Sequence, residues 1–88
     1  MAPKLSLFER MKANARGDWT IAEIRTLCEA EGLECAPPTR GSHFKVSSDL
    51  ISGILTIPHK RPIKAIYVRK LIGLVEAHRI ASSSRKGD

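Results

Sequence analysis

Eighty-eight residues, 42% hydrophobic and 27% charged, are enough for one small domain around one modest core, and this mix excludes a disordered polar chain. The net charge of +6 is unevenly placed: residues 1–39 hold five cations against six carboxylates, a net −1, and residues 40–88 hold ten against three, a net +7. No apolar run approaches the roughly 20 residues of a membrane span, the first residues do not read as a signal peptide, and Cys28 and Cys35 form neither a metal-ligand spacing nor a disulfide framework.

The expectation is therefore a soluble, reduced, cytoplasmic protein with no membrane role and a polyanionic partner for its basic half. Leu5, Phe8, Met11 and Ala15 recur at helical spacing, which predicts a short first helix over 4–15. Arg16-Gly17-Asp18 breaks it. Thr20 followed by Glu23 is a capping box, with Trp19 before it set to staple onto Ile24, and Gly32 is the stop, so 20–31 is the second helix. Its buried stripe is Ile21, Ile24, Leu27 and Cys28.

Three short strands follow. The first is 33–36, ended by Pro37-Pro38, which cannot donate to a ladder. The second is 42–47. The third is the β-branched run 54–57 between Gly53 and Pro58, and the 47–53 connection is longer than the tightest hairpin. A long last helix is expected to begin near Pro62, with Ile63, Tyr67, Leu71, Leu74 and Val75 buried and Val68 and Ile72 widening that face. His78 is expected to be solvated near the helix end, and from Ala81 the Ser-rich basic tail to frays. The domain layout is thus an N-terminal helical extension 1–18, an α+β domain 19–79 and a flexible basic tail 80–88.

The chemistry concentrates in Gly41-Ser42-His43. Strand alternation puts His43 and Lys45 on one face and Ser42, Phe44 and Val46 on the other. Imidazole titrates near neutrality, so a histidine between Arg40 and Lys45 places a proton-transfer group among phosphate-attracting charges. Lys60, Arg61 and Lys64 crowd the start of the last helix, where free amides and the macrodipole already favour an anion. No carboxylate pair or His/Cys cluster suggests a metal site, and no cofactor is expected.

Gly41-Ser42-His43, then Ile54-Leu55-Thr56-Ile57-Pro58, then Arg61-Pro62-Ile63-Lys64 leading into Tyr67-Val68-Arg69-Lys70-Leu71, resembles the HicA family of small bacterial toxins from type II toxin–antitoxin modules. Trp19-Thr20-Ile21 is similar to one branch of it, and the resemblance covers roughly 19–78. It implies a fold like the double-stranded RNA-binding domain, with a helix, a three-stranded antiparallel sheet and a helix. It also implies a metal-independent endoribonuclease acting on mRNA in the bacterial cytoplasm, with His43 as the essential residue and a HicB-type antitoxin covering the active face. Residues 1–18 lie outside the family core. The family often sets a histidine two residues after the strand-ending proline, whereas here His59 follows Pro58 directly.

RNA brings its own nucleophile, the 2′-hydroxyl, so cleavage needs proton transfer and charge stabilisation. His43 is either the base for that hydroxyl or the acid for the leaving 5′-oxygen. Lys45 and one of Lys60, Arg61 or Lys64 are candidates to stabilise the phosphorane, with Arg40 as a further phosphate contact. Ser42, His59 and Tyr67 are assigned minor roles, Tyr67 chiefly in packing at the edge of the core. The competing class is a non-catalytic RNA- or DNA-binding module of the same architecture, because double-stranded RNA-binding domains generally lack an active site.

Overall fold

The computed structural model describes residues 5–86, with side chains through 84. The chain folds as α1 (Leu7–Ala13), α2 (Ile21–Glu31), β1 (Glu34–Ala36), β2 (His43–Ser47), β3 (Ile54–Pro58) and α3 (Ala65–Lys86). It is an α+β fold with three helices and one antiparallel sheet in the order β1-β2-β3.

Both early helices open on reciprocal caps. Thr20 Oγ1 accepts from the Glu23 amide while Glu23 accepts from the Thr20 amide at 3.0 Å, as the sequence predicts. Ser6 and Glu9 form the same box one helix earlier, so α1 starts at Leu7 rather than at residue 4, which lies outside the described residues. Leu5, expected within that helix, precedes its cap and is 57% exposed. Gly32 ends α2 in the left-handed conformation, φ 78°, that a Cβ would strain.

The sheet divides its residues by face. Cys35, Phe44, Val46, Leu55 and Ile57 alternate toward the helices, and Val46 and Ile57 are fully buried. The other face carries Glu34, Ala36, His43, Lys45, Ser47, Ile54, Thr56 and Pro58, none of them buried. The core joins Phe8 and Met11 of α1, Ile24, Leu27 and Cys28 of α2, and Val68, Leu71, Ile72 and Val75 of α3. Each large aliphatic side chain buried there contributes about 1.5–3 kcal/mol. Trp19 joins the same cluster, its indole N–H donating to the Asn14 carbonyl at 2.7 Å. On the helical side Arg79 donates twice to Glu31, at 2.7 and 2.6 Å, and stacks 4.1 Å from the Phe8 ring centre, while Lys12 pairs with Glu76 at 2.7 Å.

α3 departs from expectation at both ends. It begins at Ala65, three residues after Pro62; the Ile63 amide is held by the Trp19 carbonyl at 2.9 Å, and the first helical bonds run from Tyr67 and Val68 to the Lys64 carbonyl. At its other end it continues to Lys86 instead of fraying from Ala81. His78, on the same helix, also differs from expectation. Rather than being solvated it is 7% exposed, and its Nδ1 lies 2.6 Å from the Oγ of Ser48, itself 8% exposed. Ser48 Oγ also accepts from the Leu50 amide at 3.0 Å, so the β2–β3 connection is tied to α3.

Candidate nucleic-acid interface and catalytic site

The open sheet face is built by β2. Gly41, with φ 77° and nothing within 4 Å of where a Cβ would stand, turns the chain into the strand through a conformation other residues rarely adopt. Ser42 follows half-buried, then His43 and Lys45 emerge exposed on the outer face, about 7 Å apart along the strand. Their ladder partners are Pro58 and Thr56.

Of the three histidines, His59 and His78 hold ring hydrogen bonds within the protein, whereas His43 holds none among the described residues. The His43 ring is therefore left to solvent and to whatever binds this face. Next to it, Pro58 lines a surface pocket of about 360 Å³ together with Lys60, Arg61, Pro62 and Lys64. The pocket thus starts at the cross-strand neighbour of His43 and ends at Lys64, the residue before α3. No acidic residue occupies the first turn of α3, so the partial positive charge of that helix end is unopposed.

The predicted cations do not behave alike. Arg40, Lys45, Lys60 and Lys64 are exposed and make no ion pair among the described residues. Arg61 is engaged: its Nε donates to Asp18 Oδ1 at 3.0 Å and an Nη donates to Oδ2 at 2.6 Å. Those hydrogen bonds hold the Asp18 carboxyl below its usual range. A guanidinium bound at both ends of a carboxylate presents little net charge to a phosphate, so Arg61 is a strut between the α1–α2 loop and the pocket wall. Asp18 lies 43 positions away, and no local pattern announces the pair.

Tyr67 is half-buried and packs against the core, matching its expected place at the core edge. His59 is exposed, and its ring Nδ1 and backbone amide both reach the Ser42 carbonyl, at 3.0 and 2.9 Å. That bond escapes sequence inspection, yet it follows once β2 and β3 are in register, since Ser42 and His59 continue the His43–Pro58 pairing. The cysteines offer no nucleophile: burial, then the neighbouring Cys35, pushes the Cys28 thiol up to about 12, and burial also raises Cys35. Among the described residues no three or more His, Cys, Asp or Glu side chains are grouped so that they could hold a metal ion, and no helix is long and apolar enough to cross a membrane. Compared with protein-family models, curated proteins and solved structures, the chain matches none of them.

Proposed function

We propose that this chain is a HicA-type endoribonuclease, the toxin of a bacterial toxin–antitoxin pair, folded like a double-stranded RNA-binding domain and cleaving mRNA on its open sheet face. The observation that carries the reading is His43: an exposed imidazole without a partner among the described residues, on the same face as Lys45 and beside the Lys60–Lys64 pocket. The sequence resemblance assigns the essential role to the same residue.

In this reading an RNA phosphate sits over the start of β2. Lys60 and Lys64, with the free amides at the head of α3, draw its oxygens, and Lys45 holds the next phosphate along the strand. His43 exchanges a proton with the 2′-hydroxyl or the leaving 5′-oxygen while the cations stabilise the phosphorane charge. Proton transfer by a placed side chain contributes about 10²–10⁴-fold, which suits an enzyme that slows growth rather than digests bulk RNA. A HicB-type antitoxin presents carboxylates to this face and shuts off access to His43. Displacement of RNA from the protein by an acidic partner encoded in the adjacent reading frame tests that pairing; a stable ternary complex would place the partner elsewhere.

The deciding experiment replaces His43 with alanine and measures cleavage and binding of one labelled RNA side by side. His43 contributes nothing to the core, so the variant should fold, bind RNA and fail to cut it. Undiminished cleavage by folded His43→Ala protein sinks the catalytic assignment. RNA binding without cleavage by the wild-type chain would favour the non-catalytic module.

A further inference from the structure

One peptide group governs how His43 is aimed. The Ser42 carbonyl belongs to the Ser42–His43 peptide, which is planar, so holding its oxygen sets the plane that leads into the His43 Cα. Upstream stands Gly41, in left-handed conformation with no atom within 4 Å of a Cβ position, so no side chain at that position fixes the turn. The support comes from across the ladder. His59 donates its backbone N–H to that oxygen at 2.9 Å, and its ring Nδ1 stands 3.0 Å from the same atom.

A carbonyl oxygen has no proton to give, so Nδ1 carries the proton of this bond. The neutral ring is then the Nδ1–H tautomer with its lone pair on Nε2, and protonation at Nε2 leaves the Nδ1–H bond in place. The clamp is therefore kept in both charge states of His59.

We propose that His59 is a positioning residue for His43, its ring fixing the Ser42–His43 peptide from the end of β3. The proposal rests on the reading of His43 as catalytic, and its test separates the two. Three variants keep the backbone N–H and differ in the side-chain donor: His59→Asn sets an amide N–H near the place of Nδ1, His59→Gln reaches the place of Nε2, and His59→Ala has no donor. Kinetics on a labelled RNA are measured together with ¹⁵N relaxation of the His43 amide in the free protein. A proton-detected ¹⁵N spectrum of the wild-type rings reports the His59 tautomer.

The expected result is an Nδ1–H tautomer, and for Ala and Gln a kcat lowered about tenfold with KM little changed, because small displacements of a catalytic group are costly. The His43 amide becomes more mobile in both, and Asn restores rate and order together. Wild-type rate and His43 order in His59→Ala overturn the proposal. Loss of activity in His59→Asn with His43 fully ordered, accompanied by loss of one limb of the pH profile, also overturns it by making His59 a proton-transfer group itself. If the wild-type chain cuts no RNA, the nuclease reading falls, and the relaxation series still decides whether the clamp exists.

Discussion

Replacing Lys60 and Lys64 together with alanine removes two of the four cations that carry no ion pair among the described residues of the proposed RNA face; Arg40 and Lys45 remain. Each phosphate contact on single-stranded RNA contributes roughly 0.7 to the slope of log affinity against log salt, so four free cations set a slope of about −2.8 and two set about −1.4. Between about 50 and 200 mM salt the wild-type face loses roughly 50-fold in affinity and the double variant only about sevenfold. The geometry of Arg61 supplies the opposite perturbation. Asp18→Asn releases its guanidinium, adding a fifth cation and steepening the slope to about −3.5. Fluorescence anisotropy with a labelled single strand, in a His43→Ala background so that nothing is cut, reads all three slopes. The reasoning is refuted if the double variant keeps the wild-type slope, or if Asp18→Asn leaves it unchanged.

Ser48→Ala deprives both the His78 ring and the Leu50 amide of their buried partner, so urea unfolding should show a loss of about 1–3 kcal/mol, and a stability equal to wild type would mean the pair holds nothing. The Asp18 carboxyl has a folded pKa below its ordinary 3.8, so its contribution to stability is fully present above that value and is lost as pH falls through the lower folded value. Asp18→Asn should accordingly lower stability by a constant amount above about pH 4 and flatten the acid limb below it, whereas an acid limb as steep as that of wild type would point to another group. Cleavage by a histidine mechanism should be unaltered by excess EDTA; loss of products restored by Mg²⁺ would require a different site.

What the sequence makes legible is local. The Thr20/Glu23 box, the Gly32 stop, the proline exit from β1 and the β-branched run of β3 each lie within a few residues of the boundary they set, and all stand close to where they were expected. The shared face of His43 and Lys45 follows from alternation alone. What escapes are bonds that close long loops. The Trp19 carbonyl takes the Ile63 amide just ahead of α3; Ser48, 30 positions away, turns a polar residue expected in solvent into a buried one; Asp18 takes up Arg61 from 43 positions away. The Ser6/Glu9 box is different, because it is a local pattern that sits inside the hydrophobic period predicting a longer helix.

Arg79 sets how the molecule comes apart. A seven-residue helix is unstable on its own in water, so α1 exists through docking, and Arg79 bridges that docking by covering Phe8 while gripping Glu31. α1 lies against α2 and α3. Its amides should therefore exchange with solvent ahead of those in β2, and equal protection of the two would mean that α1 opens only with the whole molecule. Opening of α1 alone exposes Met11 and Phe8 on the side of the molecule turned away from the sheet, and the strand bearing His43 stays paired through it.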